Sequence, residues 1–490
     1  MIHHPCQRRD RREWPGLTGR TARERWAPAV GLAMALLASA SVYAQQPSDA
    51  FLNRQRALEE EVRQALDKEL PADQKIDYDW GGWYSFYLLL YDDGVDSSRT
   101  FRRHDLRLWN SLSFDQGAHQ IYARGKMHFD DFNTGDSFDG NDDDWIGPNL
   151  DRGFYQFDLR RAAKAYANER LDWNFNLKIG RDLATFGTGY AFSLPLDHLL
   201  LTAEFGDLEI AGLMGTSIRS TDNIDLSRPN AGRSKRNFWG TQIKYKGLQR
   251  HEPFIYAVWN EDQQREDVPQ FIRDFDYDSY YLGLGSTGEL ATNLRYGTEF
   301  VFQGGHSYTD RIFPQRRDIH AWGADFSLEY TPRWAMQPRF VGEYMFASGD
   351  PHRTDSPTNT LSGSTSGRDT GFVGFGYRDT GLSLAPRLSN VHIWRAGASF
   401  KPFEDCEPLR NLELGTDWFL YAKNRAEGAI SDSTADRQSG YVGWEMDYFI
   451  NWRITSDLSW TTRFGTFFPG KSFSDQTTRT FLLTGVTYSF

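Results

Sequence analysis

From Asp77 onward, apolar and polar side chains alternate with a period of two, in segments of about 8–14 residues separated by turn chemistry. The alternation is cleanest over 441–453, where Val442, Trp444, Met446, Tyr448, Ile450 and Trp452 share one face. Gly443, Glu445, Asp447, Phe449, Asn451 and Arg453 share the other. In 172–181, Trp173, Phe175, Leu177 and Ile179 oppose Asn174, Asn176, Lys178 and Gly180. Eighteen such segments, from 79–92 to 478–490 and including one at 152–161, each predict a strand. A half-buried sheet in a soluble protein would alternate too. Here, however, the polar face carries Arg, Lys, Glu or Asp in nearly every segment, as a water-filled barrel interior requires.

Connection lengths sharpen this. Short links near 115–118, 206–207, 246–251, 286–291, 331–336 and 454–456 alternate with long ones at 131–151, 182–196, 218–235, 261–275, 304–317, 348–387 and 424–440. Ala162–Leu171 and Pro402–Asn411 are longer than the other short links. Short turns on one side and long loops on the other describe a transmembrane β-barrel. The fold class read from the pattern is therefore all-β: about 18 antiparallel strands spanning 77–490.

Two segments precede the barrel. Residues 1–44 read as a removable export signal, with seven Arg, an apolar core Ala29–Ala38 and a small-residue site at Val42–Ala44. Residues 45–76 read as a periplasmic stretch whose 49–70 portion forms an amphipathic helix. There Phe51, Leu58, Val62, Ala65 and Leu66 recur at helical spacing before Pro71. That helix either packs on nothing in particular or is a coiled-coil segment that docks a periplasmic partner or caps the barrel mouth.

Composition agrees. Charged residues make up 25 % and aromatics 15 %, and beyond the leader no run approaches the roughly 20 apolar residues of a membrane helix. Without the leader the chain keeps 48 basic and 63 acidic residues, a formal charge of −15. That acidity argues against nucleic acid as a partner. Cys6 lies in the leader, so the mature chain has only Cys406 and no intrachain disulfide is expected.

Specific stretches resemble known proteins. The terminal TRTFLLTGVTYSF, ending in Phe490, resembles the closing strand of bacterial outer-membrane barrels. The run Ser389–Pro402 (SNVHIWRAGASFKP), the long loop opening Ala347-Ser348-Gly349-Asp350, the ending Thr466–Lys471 (TFFPGK) and Ile179-Gly180-Arg181-Asp182 together resemble the alginate-export family. The resemblance covers most of 77–490. It implies an eighteen-strand outer-membrane porin, not an enzyme, that passes polyuronate exopolysaccharide out of a bacterial cell as a monomeric barrel. Outer-membrane lipid and lipopolysaccharide, together with periplasmic export proteins, would be its partners. Substrate-specific uptake of sugar acids or oligosaccharides is the alternative.

If the charged faces point inward, Arg107, Arg124, Lys126, Arg160, Lys178, Arg181, Arg395 and Arg463 are the candidate substrate-binding residues. Arg and Lys suit a polyanion because guanidinium groups bind carboxylates bidentately and cationic rings select anions. Each could equally serve a structural ion pair across strands. The cluster Arg107, Arg124, Lys126, Arg160, Lys178 and Arg181 is the strongest, because Asp158 is the one acid expected among its strands. Trp109, Tyr122 and Tyr421 are candidate inward sugar platforms. Gly283–Gly288 matches G-x-G-x-x-G, but a strand follows it rather than a helix, so it reads as a turn. Asp139–Asp144 could hold Ca²⁺ yet lacks the EF-hand glycine and terminal glutamate; no cofactor is otherwise expected. The histidines have no metal-ligand spacing, and Asp197-His198 has no assignable nucleophile.

Overall fold

A computed structural model describes residues 76–92, 98–137, 143–218, 235–263, 277–308, 315–353 and 363–490. The leader, the 49–70 segment and Asp139–Asp142 lie outside the described residues. The strands are β1 (Ile76–Tyr91), β2 (Arg99–Phe114), β3 (His119–Phe132), β4 (Asp144–Asp158), β5 (Trp173–Phe186) and β6 (Phe192–Phe205). Next come β7 (Leu208–Ser217), β8 (Arg236–Tyr245), β9 (His251–Asp262), β10 (Asp278–Ala291), β11 (Leu294–Tyr308) and β12 (Arg316–Tyr330). The last are β13 (Arg339–Ala347), β14 (Val391–Phe400), β15 (Leu412–Lys423), β16 (Tyr441–Arg453), β17 (Leu458–Pro469) and β18 (Arg479–Ser489).

Each strand pairs antiparallel with its sequence neighbours, and β1 pairs with β18 from Trp83↔Ser489 to Tyr91↔Phe481. The result is a closed 18-stranded cylinder without an edge. At the seam, Gly82 N–H donates to the Phe490 carbonyl and Phe490 N–H to the Gly82 carbonyl, each at 2.9 Å. The outer face is apolar, with Leu108, Ile121, Ile179, Met214, Ile255, Leu284 and Phe326 all exposed.

Several sequence expectations are corrected. Segment 152–161 is strand only to Asp158. A helix, α1 (Leu159–Ala167), follows, with the Asp158 side chain accepting the Arg161 N–H at 2.9 Å as its N-cap and Asn168 closing it at φ 53°. Gly283–Gly288 lies inside β10 rather than in a turn, because the strand runs on to Ala291. The long connection at 182–196 shrinks to 187–191 as β5 and β6 extend. Val442 is buried on the inner face, not the outer one. A register shift opposite Tyr421/Ala422 places Gly443 at φ 145° and reverses the alternation. Cys406, in the connection after β14, is buried.

The core is unexpected too. It lies inside the cylinder, where Phe192, Leu194, Phe238, Tyr281, Val301 and Met345 from the strands pack against Phe372, Val373 and Phe375 of the β13–β14 connection. Part of the interior is therefore apolar rather than wet.

The seam supplies a first prediction. A Cβ on Gly82 would stand 2.6 Å from the Arg107 carbonyl and 3.0 Å from the Phe490 ring. Gly82→Val should cost about 1–3 kcal/mol by overpacking. The readout is a lower temperature for loss of folded-barrel migration on a gel; an unchanged transition would show that the seam tolerates the added bulk.

Candidate functional site

What passes through a closed cylinder is decided by what fills it, and here the β13–β14 connection fills it. Starting from Ser348, the segment runs along β12, where the Asp369 carbonyl accepts the His320 N–H at 2.8 Å. It reaches β10 and β11, with the Tyr281 hydroxyl donating to the Val373 carbonyl at 2.6 Å and the Val373 N–H to Gln303 Oε1 at 2.9 Å. It then pairs with the β5–β6 connection and β6: Phe375 N–H donates to the Ala191 carbonyl at 2.8 Å and Ser193 N–H to the Phe375 carbonyl at 2.9 Å. From there it swings back to β15 and β16. In an 18-strand ring β6 and β15 are diametrically placed. The segment crosses the whole lumen.

Two charged clamps hold it. Arg378 donates to Asp325 Oδ2 at 2.9 and 2.7 Å and to the Thr188 carbonyl at 3.0 Å. Burial by itself would lower the pKa of Arg378, but Asp325 and Glu343 outweigh it and hold the guanidinium above its ordinary value. At the far wall the Glu445 carboxylate accepts the N–H groups of Leu382 and Ser383 at 2.6 Å and of Leu384 at 2.9 Å, as well as the Tyr421 hydroxyl. A second insertion, 187–191, is fixed the same way, with Thr188 N–H donating to Glu299 Oε2 at 2.5 Å. Carboxylates of β11, β12 and β16 thus anchor the insertions, Glu299 and Glu445 through backbone N–H groups that would otherwise be buried without partners and Asp325 through the Arg378 guanidinium.

Six inward cations cluster on the neighbouring strands β2–β5. Arg103, Arg107, Arg124, Lys126, Arg152 and Lys178 lie on the inward face. Arg107 stands directly opposite Lys126, and Arg124 directly opposite Arg152. Like charges in such positions repel. They are offset by Asp105 on Arg107 (2.9 Å), Asp151 on Arg124 (2.7 Å), Asp130 on Arg103 (2.6 Å) and Asp182 on both Lys178 (2.9 Å) and Arg152 (3.4 Å). Trp83 lies between two of them, its ring 5.6 Å from the Arg107 guanidinium carbon and 5.3 Å from that of Arg124. Lys178 sits 4.6 Å from the Phe154 ring centre.

The sequence-predicted residues divide accordingly. Arg107, Arg124, Lys126 and Lys178 come together. Arg463 on β17 faces inward, over the Phe449 ring at 5.6 Å. Arg395 faces inward too, in a different setting: it binds Asp417, Glu343 and Asp379 at 2.9, 3.3 and 3.1 Å, beside the clamps on the crossing segment. Arg181 faces the other way. It is three residues from Lys178, an odd spacing, and so shares the outer face with Ile179 and Leu183, paired with Asp197 at 2.7 Å. Arg160 is not on a strand at all; it lies in α1, with Glu204 at 3.3 Å.

The expected scarcity of acids among these strands is also corrected, since Asp105, Asp130, Asp151 and Asp182 all face the same space. Arg103, Arg152 and Arg378 were missed. The first two follow from the same alternation as Arg107 and Arg124, while Arg378 is in a loop and carries no periodic signal. Of the three platforms, Trp109 and Tyr122 line the inner wall, with ring centres 6.3 Å apart. Tyr421 is sealed beneath the crossing segment, its hydroxyl on the Thr380 carbonyl at 2.9 Å. Among the described residues no group of three or more His, Cys, Asp or Glu could hold a metal ion.

A closed strand cylinder, crossed by a tethered segment and lined by paired cations, defines a porin-like channel. The profile of the Alginate export family matches residues 222–485. The chain belongs to that family. No curated protein matches it. Among solved structures it is similar to OccK5 (OpdH) of Pseudomonas aeruginosa, at 12% identity and a TM-score of 0.48 over 84% of this chain and 98% of that one. It is also similar to OccK11 (OpdR) of the same organism (13%, 0.49, over 86% and 99%) and to a BenF-like porin of Pseudomonas fluorescens Pf-5 (11%, 0.49, over 84% and 98%).

The second clamp yields a prediction. Glu445→Ala removes the acceptor of three backbone N–H groups, bonds worth about 1.5–3 kcal/mol each when the acceptor is charged. Single-channel recordings should then show a larger and noisier conductance than wild type. An unaltered trace would mean that the crossing segment is held without Glu445.

Proposed function

We propose that the chain is an outer-membrane channel through which an anionic exopolysaccharide, alginate or a related polyuronate, leaves the bacterial cell. The observation that carries this reading is the pair of like-charged contacts, Arg107 opposite Lys126 and Arg124 opposite Arg152, on an inward wall. A barrel built for stability alone would place opposite charges there. Carboxylates of a passing polymer could exchange with Asp105, Asp151 and Asp182 on these cations, giving many weak contacts and no deep trap. Family membership supports the export direction.

The apolar outer face supports insertion in a bilayer, as do the exposed aromatics Trp80, Trp145, Trp173, Trp334 and Tyr488 near the strand ends. Strands of 9–16 residues suit a tilted crossing. In this setting the short turns and α1 face the periplasm, and periplasmic export proteins deliver the polymer. Transport is passive, driven by synthesis behind it, and involves no chemical step.

Uptake of sugar acids would use the same cations, so direction needs its own test. In a host that makes an anionic polysaccharide but lacks its own export pore, this chain should restore polymer to the medium. Polymer retained in the periplasm, with growth gained on sugar acids instead, would favour uptake.

Selectivity tests the wall itself. In planar bilayers, Arg124→Ala combined with Lys178→Ala should lower anion preference and raise the oligouronate concentration for half-block roughly 2- to 5-fold. A wild-type pore that prefers cations would remove the polyanion reading.

A further inference from the structure

Arg160 and its helix take no part in the lumen, yet α1 has a consistent chemistry. Arg160, Arg161 and Lys164 project from the face turned away from buried Ala162, and all three are exposed. Tyr166, one helical turn beyond Ala162, is 64% exposed, and its position is fixed. Its hydroxyl donates to Asp115, and the same oxygen lies 3.0 Å from His119 Nε2, while His119 Nδ1 meets the Tyr155 hydroxyl at 2.7 Å and its ring stacks on Phe114 at 4.7 Å. An aromatic ring tethered at its polar end and left bare along its face, on the same short helix as three exposed cations, offers an acidic sugar ring both a stacking surface and charge.

We propose that α1 and the 115–118 turn form a capture site for anionic polysaccharide on the barrel rim, outside the lumen. The proposal rests on the polyanion reading above and names where the polymer is first held. Three features support it. Gly117 has φ 77°, and a Cβ there would stand 2.7 Å from Arg161 Nη1, so the glycine lets the guanidinium lie over the turn. The nearby acids are already engaged: Asp158 caps the helix, Asp115 holds Tyr166, and Glu204 is shared between Arg160 (3.3 Å) and Lys246 (3.7 Å). Glu169 and Asp172 fall beyond the helix in the return to β5.

The third feature is continuity with the lumen. Arg160 N–H donates to Asn174 Oδ1 at 2.9 Å, and Asn174 shares the inward face of β5 with Lys178. Four strand residues separate them, a rise of about 13 Å. A chain held at α1 therefore meets Lys178 as its next cation, then Arg152, Arg124 and Arg107.

The test titrates the full detergent-solubilised chain with a defined-length oligouronate and records conductance in parallel. Arg161→Ala with Lys164→Ala, and separately Tyr166→Ala, should weaken binding about 5- to 10-fold while conductance without oligomer stays at the wild-type value. Arg161→Gln with Lys164→Gln removes the charge but keeps a polar side chain with much of the aliphatic stem and should reproduce the loss; if it does not, packing rather than charge is responsible and the proposal falls. If the helix variants bind as wild type while Arg124→Ala loses affinity, capture is entirely luminal and α1 has no part in it, with the polyanion reading intact. A wild-type chain that binds no oligouronate sinks both.

Discussion

The pairing of β1 with β18 is the constraint on which everything else rests. A β-sheet leaves unpaired N–H and C=O groups at its edges, and in a bilayer neither can be left without a partner. Closing the ladder from Trp83↔Ser489 to Tyr91↔Phe481 removes both edges at once. Closure also divides every strand into an outer face and an inner face, so each residue's role follows from its parity. That division is why Lys178 and Arg181, three residues apart, have unrelated surroundings.

Closure creates a second problem, an interior too wide for side chains from the wall alone to fill. The chain answers by sending its own backbone across. The inserted segment brings Phe372, Val373 and Phe375 against a wall of Phe192, Phe238 and Tyr281, so burial of apolar area contributes inside the cylinder as well as outside it. Backbone sent into such a place must have its polar groups satisfied. Glu445 and Glu299 do so by accepting backbone N–H groups, while Asp325 holds the inserted Arg378 guanidinium.

The charges are therefore sorted by task. Carboxylates of β11–β16 hold the inserted segment, and Arg395 sits among them, balanced by three acids. The cations of β2–β5 face one another across strands and are compensated one carboxylate at a time.

All eighteen strands, the alternation of short and long connections and the inward placement of Arg107, Arg124, Lys126, Lys178, Arg395 and Arg463 were legible from periodicity, because a period of two encodes a sheet with distinct faces. The outward turn of Arg181 and the helix α1 were misread, although the odd spacing of Arg181 from Lys178 and Asp158 ahead of Leu-Arg-Arg-Ala-Ala-Lys-Ala carry the signals for both. What only the tertiary structure decided has no period. The bulge at Gly443 reversed Val442, the β13–β14 connection turned inward to make an apolar core, and Arg378 met Asp325 and Thr188 from far along the chain. Local alternation determines which way a strand residue faces. Which loop enters the space the strands enclose depends on contacts from 53 to 190 residues apart, and these leave no local trace.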